Sequence, residues 1–388
     1  MKVDKSQWIT RPISELFNLQ MGKTPSRKEL HLWEGGDVPW VSISDMNSKN
    51  IYETKEMLPM STIKSCNVPI VPSNTVIMSF KLTIGKTCIT KCPMTTNEAI
   101  MAFYPREGTE ISIPYLSYAL SSLKWEGNRA VKGLTINKKT IAQKLFSLPP
   151  LHEQKGIAAE LDALQELING YKAQLNDLDE LIKSIFNKTF GDIHSNPYNF
   201  DIKLMQDVCS KITDGTHNPP KFVDSGIPFI FVSNIANYEI SYLAKKHIDD
   251  ASYNELWKST PVEVGDVVYT SVGSYGNPAI VRTDKKFMFQ RHIALLKPKH
   301  DVIESEYLKW FLISPSGREQ ADNKAIGAAQ KTLNLKAIKS FKIIVPPKEK
   351  QLSFTAQVEI LEKQRTLLQE QLADAEQLMA ERMQYYFS

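Results

Sequence analysis

The chain has 388 residues, 42% hydrophobic and 23% charged, with a formal charge of +4. That length suits two or three domains, and the composition is that of a globular chain, not a disordered or membrane-spanning one. No apolar run of about eighteen residues and no signal-peptide core follows Met1, so a cytoplasmic protein with no membrane partner is expected.

The first part of the chain has short strand-like runs at Val38–Ile43, Val76–Ser79 and Ala99–Phe103, set between Gly, Pro and Asn turn signals. Pro149 and Pro150 then mark a helix start, because proline is tolerated at a helix beginning and nowhere deeper. Beyond them Leu161, Leu164, Ile168, Tyr171, Leu175, Leu178, Ile182 and Ile185 alternate steps of three and four. That stripe predicts a coiled-coil helix from Leu151 to Asn187, about 55 Å long at about 1.5 Å per residue. Strand-like runs return at Phe229–Val232, Asp266–Thr270 and Ile293–Leu296. A second long helix follows Pro346 and Pro347, with Val358, Leu361, Leu368, Leu372, Ala375 and Met379 on its stripe. Arg365 and Arg382 break this stripe where the first helix has Ile168 and Ile185.

The chain is thus written twice. Thr135, Asn137, Pro149, Pro150 and Gln154 recur 197 positions later as Thr332, Asn334, Pro346, Pro347 and Gln351, and the offset holds without a gap to Phe190 and Phe387. Upstream, the segment from Gly22 to Met46 resembles that from Thr213 to Ile235, and NEAIMAFYP from Asn97 resembles QRHIALLKP from Gln290. Charge follows the same division: +7, −4, +3 and −2 over residues 1–150, 151–192, 193–347 and 348–388. Two basic modules alternate with two acidic ones. The expected fold class is α+β: two globular α/β heads plus two long helices packed as an antiparallel coiled coil, an internal repeat with pseudo-two-fold symmetry. The expected divisions are residues 1–147, 148–192, 193–345 and 346–388.

Catalytic motifs fail one by one. Met21–Thr24 and Ile84–Thr87 end like phosphate-binding loops, but Phe17 and Phe80 stand where that loop needs glycine. Asn218–Lys221 has lysine where an amino-methyltransferase has an aromatic residue, and no glycine-rich cofactor loop follows any strand. Cys66, Cys88, Cys92 and Cys209 are scattered and form no zinc motif, and His217, His247 and His292 are isolated. The chain reads as a binder without catalytic residues or metal.

The order of head, Pro-Pro-led helix, head and helix, with the strings GKTPS…WEGGDVPWVSISDM, TDGTHNPPKF, SLPPLHEQKGIAAELD and IIVPPKEKQ, resembles the specificity subunits of type I restriction–modification enzymes. The resemblance covers nearly the whole chain. It implies that each head is a target-recognition domain reading one half of a bipartite, asymmetric site in double-stranded DNA. It implies that the helices set the spacer and recruit two methyltransferase (M) subunits, which bind S-adenosylmethionine and methylate adenine. A restriction/translocase (R) subunit would join them, and this chain itself would hold no cofactor. Two other readings stay open: a coiled-coil scaffold without DNA specificity, and the specificity part of a fused restriction–modification enzyme.

A DNA reader needs many phosphate contacts and a few base contacts. In the first head Gly22, Lys23, Thr24, Ser26, Arg27 and Lys28, with Lys81, Thr83 and Lys86 around Gly85, offer close approach and cations. Their counterparts are Asp214, Gly215, Thr216, His217, Asn218 and Lys221, then Ser271, Ser274, Tyr275 and Asn277. Gln290, Arg291 and His292 add donors suited to direct readout. Taken singly, each is more often an ordinary loop residue; the glycine-flanked groups carry the expectation. Trp33, Trp40 and Phe229 read as core aromatics, and Asp177, Asp179 and Glu180 as a solvated helix face.

Overall fold

The computed structural model describes residues 3–125, 128–130, 133–327 and 330–388. Four helices carry the architecture: α1 (Ile113–Ser122), α2 (Leu151–Phe190), α3 (Ser305–Ile313) and α4 (Lys348–Phe387). The chain forms two compact units, one of Met1–Tyr171 with Gln371–Ser388, the other of Lys172–Glu370. Each long helix therefore gives one part to each unit.

In the first unit β1 (Ile9–Pro12) pairs antiparallel with β6 (Leu145–Leu148), the strand that leads into α2. The main sheet runs β2 (Phe17–Met21), β5 (Ile100–Pro105), β3 (Val76–Ser79), β4 (Thr87–Thr90), closed by a parallel pairing with Asn50–Ile51. Strand side chains alternate between faces. Val76, Met78, Met101 and Phe103 pack with Tyr115 and Leu116 of α1, Ile157 and Leu161 of α2, and Tyr386 of α4. Ile77, Cys88, Ile100 and Ala102 face the other way, into a second core with Val41, Met46 and Met94. A sheet covered on both faces has continuous apolar strands, which is why Val76–Met78 reads as an unbroken apolar run.

The second unit repeats this. β7 (Asp201–Leu204) pairs with β12 (Lys342–Val345), and the sheet runs β8 (Cys209–Asp214), β11 (Ile293–Pro298), β9 (Val267–Thr270), β10 (Pro278–Ile280). Val267, Tyr269 and Leu296 pack with Tyr307 and Phe311 of α3, Phe186 and Phe190 of α2, and Phe354 of α4. Val268, Ala279 and Leu295 face the opposite core.

Both long helices begin on the same device. Gln154 is fully buried; its Nε2 donates to the carbonyls of Pro149 at 2.8 Å and Glu110 at 3.1 Å, and its Oε1 accepts from Ser112 N at 2.8 Å. Gln351, also fully buried, donates to Pro346 at 2.8 Å and Val302 at 3.0 Å and accepts from Glu304 N at 2.8 Å. A buried amide with four bonding positions is satisfied on both its ends. Tyr115 and Tyr307 add a matching bond, from their hydroxyls to the carbonyls of Ser147 and Ile344 at 3.0 and 2.7 Å. α2 runs three residues past the expected Asn187 to Phe190 and stops at Gly191, whose φ of +72° suits a glycine after a helix end.

Within the second unit the helix stripes meet in opposite directions: Arg365 pairs with Asp179, and Phe354 lies against Phe186 and Phe190 at ring separations of 5.5 and 5.4 Å. In that unit α2 contributes buried Ile182 and partly buried Leu175 and Leu178, and α4 contributes buried Val358 and partly buried Leu361 and Leu368. In the first unit Leu161 and Ile168 are buried, while Leu164, Tyr171, Leu372 and Met379 are partly buried. Arg365 does not break the stripe of α4 but continues it, 5% exposed, because Asp179 and Glu362 neutralise it. Asp179 is correspondingly an ion-pair partner and not merely a solvated residue. The charges continue into the head: Glu362 also holds Lys309, itself 2% exposed, at 3.2 Å, and Lys309 stands 3.9 Å from Glu306, which pairs with Arg282. In the first head the position of Lys309 is taken by Ser117, and the tie to α2 is Lys49 and Tyr118 on Asp162.

Candidate nucleic-acid interface

In the first head the residues singled out in sequence gather at one end of the main sheet. Gly22 follows β2 and its N–H donates to the Ile100 carbonyl at 3.1 Å; Lys23 N donates to Thr96 O at 2.8 Å. A Cβ on Gly22 would lie 2.2 Å from Thr96 O, so only glycine lets this loop pass against Thr96 and Asn97, just ahead of β5. The turn between β3 and β4 joins them, with Phe80 N donating to Ala99 O at 2.9 Å and Gly85 N to Ser79 O at 2.9 Å. Gly85 has φ +82°, the left-handed region that the tight turn needs. Ile136 N donates to Phe80 O at 3.1 Å, which brings a further segment to the same edge.

The second head builds the same corner. Gly215 N donates to Ile293 O and Thr216 N to Phe289 O, both at 3.2 Å, and a Cβ on Gly215 would meet Phe289 O at 2.2 Å. Ser271 N reaches His292 O at 2.9 Å, Gly276 N reaches Thr270 O at 2.9 Å, and Leu333 N reaches Ser271 O at 2.7 Å. Three loops and a returning segment thus converge in each head, tied by main-chain bonds that do not depend on loop side chains.

Side chains differ in how free they are. Lys28, Ser26 and Thr83 are exposed, and Lys81 is half-buried beside the Phe80 ring. Lys23 Nζ donates to Cys66 O at 2.5 Å and Lys86 Nζ to Asn47 Oδ1 at 3.1 Å. Thr24 donates to Glu98. Arg27 is committed elsewhere: it binds Glu56 through both terminal nitrogens and lies 3.6 Å from the centroid of Trp33. That pairing neutralises its charge, so Arg27 braces the loop on the Trp33–Trp40 pair; Trp40 is core, and Trp33 is half-buried. In the second head His217, Asn218, Lys221, Ser274 and Arg291 are exposed, while Gln290, Asn277 and His292 are intermediate. His217 Nε2 lies 3.0 Å from Asp214, and Thr216 donates to Asn218 O at 2.7 Å. Burial, and then the neighbouring Arg291, hold His292 below the ordinary imidazole range.

Ser271 and Tyr275 are turned inward, 6% and 8% exposed. The Tyr275 hydroxyl donates to Asp322 at 2.6 Å and Arg318 stacks on its ring at 4.8 Å, so these two shape the corner without presenting side chains on it. Two residues not singled out in sequence also lie here: Glu98, inside NEAI, the counterpart of QRHI, and Lys331, whose carbonyl accepts from Gly273 N at 3.2 Å. Among the described residues no group of His, Cys, Asp and Glu is placed to hold a metal ion, and no helix is long and apolar enough to cross a membrane.

The model of the type I restriction modification DNA specificity domain matches the sequence twice, over residues 5–178 and 200–378. The type I restriction enzyme MjaIX specificity subunit of Methanocaldococcus jannaschii is 24% identical over 279 residues, 64% of this chain and 64% of its own length. The chain thus spans slightly less than two thirds of that relative. The crystal structure of a type I restriction–modification S subunit from M. genitalium superposes with a TM-score of 0.55 at 13% identity, over 99% of this chain and 97% of the other. A chain solved in work on complex assembly and conformational transition of the type I system gives 0.58 at 16%, over 98% and 97%. These two likenesses show the fold: two heads, each joined to long helices.

Proposed function

Because the chain belongs to the type I restriction–modification DNA specificity family, we propose that it is the non-catalytic specificity subunit that aims a type I complex at a bipartite site in double-stranded DNA. Each head reads one half-site. The observation that carries this is the duplicated corner: the same glycine-tethered loops converge at the same sheet end in both heads, while the side chains upon them differ. Main-chain tethers supply a common frame, and differing side chains supply two different readings. An identical pair of readers would demand a symmetric site; these two demand an asymmetric one.

The long helices, about 60 Å each at about 1.5 Å per residue, act as the ruler between half-sites and carry two M subunits. Those subunits bind S-adenosylmethionine and methylate an adenine turned out of the duplex; an R subunit completes the cutting complex, in the cytoplasm. The test is a genome-wide map of N6-methyladenine in cells holding the M subunit, with and without this chain. A two-part motif that depends on the chain is expected. An unchanged map, with both proteins present and associated, would favour a scaffold instead.

A further inference from the structure

The two corners carry opposite charges at one matched position. Asn97 N donates to Val41 O at 3.0 Å and Ile100 N closes back on Asn97 O at 3.2 Å; Gln290 N donates to Ile230 O at 3.2 Å and Ile293 N closes on Gln290 O at 3.1 Å. The two turns share both of these main-chain bonds, and their second residues, both exposed, are Glu98 and Arg291. The neighbouring loop crosses both: Thr24 donates to Glu98, and Arg291 N donates to Thr216 O at 3.0 Å. Unlike Arg27, Arg291 has no carboxylate partner among the described residues; its Nε lies 3.5 Å from His292.

A position on a DNA-facing corner that is anionic in one head and cationic in the other has no common phosphate role. A carboxylate is repelled by phosphate and only accepts hydrogen bonds, so in the major groove its matching partner is an exocyclic amino group, that of cytosine. A guanidinium only donates, and its fork matches guanine O6 and N7. Burial raises the Glu98 carboxyl, but the hydrogen bonds from the Thr24 hydroxyl and from the main chain, with Lys81 nearby, outweigh it and hold the group below the usual carboxylate range. We propose that Glu98 and Arg291 are matched specificity residues, Glu98 accepting from a cytosine in one half-site and Arg291 donating to a guanine in the other. This rests on the reading of the heads as half-site readers.

The experiment uses the full chain with its M subunit, a methylation map, and duplexes in which each base pair of the wild-type motif is replaced in turn. Glu98→Gln is expected to move one position of one half-site from C·G towards A·T, because glutamine suits adenine. Arg291→Gln is expected to move one position of the other half-site away from G·C. Loss at the original base pair is expected to be about 5- to 150-fold, with spacing and all other positions kept. A motif unchanged by both variants overturns the proposal. So does a uniform loss at all sites by a Glu98→Gln chain that still binds M, which would make Glu98 a brace for the Thr24 loop. Arg291→Gln gives an independent answer if Glu98→Gln does not fold. A wild-type map without any two-part motif would instead sink the functional reading itself.

Discussion

Replacing Lys309 by methionine tests whether the buried charges of the second unit hold its head onto the long helices. Methionine keeps most of the aliphatic stem and removes only the ammonium, so no large cavity confuses the result. Lys309 is 2% exposed and lies between two carboxylates, Glu362 at 3.2 Å and Glu306 at 3.9 Å, whose side chains are 20% and 6% exposed. Removing one member of a buried pair costs about 3–5 kcal/mol, because the partner stays buried without compensation. Here each carboxylate retains a second cation, Arg365 for Glu362 and Arg282 for Glu306, which places the cost near the lower end, about 3 kcal/mol. Lys309→Met with Glu362→Leu removes one charge of each sign and leaves Arg365 to Asp179. That double variant is expected to recover about 1–2 kcal/mol relative to the sum of the single changes. Urea unfolding of the full chain, followed by tryptophan fluorescence and far-UV circular dichroism, reads both values. A single-variant loss under about 1 kcal/mol, or a double variant no better than additive, would refute the claim that these charges act as a coupled group.

Replacing Lys28, Lys81 and Lys86 together by alanine should weaken duplex binding and flatten its salt dependence by a slope of about 2–3, since each phosphate contact contributes about 0.9; an unchanged slope would remove this corner from the DNA face. One heptad inserted at matching places in α2 and α4 adds about 10.5 Å to each helix and should lengthen the spacer by about three base pairs at about 3.4 Å per base pair, with both half-sites kept; altered half-sites would contradict the ruler. Burial pushes the thiols of Cys88 and Cys209 up to about 11 and about 12, from 9.0. Folding therefore favours the protonated forms, and their contribution is complete below pH 9 and lost as pH rises through about 11 and 12. Stability measured from pH 8 upward should accordingly fall less steeply in Cys88→Ser with Cys209→Ser, and native Cys88 and Cys209 should resist alkylation at pH 8 until the chain unfolds.

Local signals made the repeat legible. Paired prolines, a stripe of threes and fours and apolar strand runs depend only on near neighbours, and they located both long helices from the sequence alone. What escaped was set by distant partners. Arg365 looks like a defect in its helix because Asp179, which neutralises it, lies 186 residues away. Gln154 and Gln351 are visible as matched letters, but their work as buried latches needs the carbonyls of Glu110 and Val302. Among the candidate residues, Gly22 and Gly215 do fall at close main-chain crossings, where a Cβ would meet a carbonyl oxygen at 2.2 Å and no other residue fits. Side-chain accessibility was not legible from residue type: Arg27 is occupied by Glu56, Ser271 and Tyr275 face inward, and Glu98 stands beside Thr24 only because the chain folds back across 74 residues.

The composition of the first unit has a consequence for biosynthesis. Its core takes in Tyr386, with Met379, Met383 and Phe387 packed against it, residues that leave the ribosome roughly two hundred codons after the rest of that unit. At about 5–20 residues per second the nascent first head waits about 10–40 s for its last pieces. The second unit, drawn from one uninterrupted stretch, has no such wait. A stop codon just before Gln371 would therefore leave every residue of the second unit in place while taking Tyr386 and its neighbours out of the core of the first.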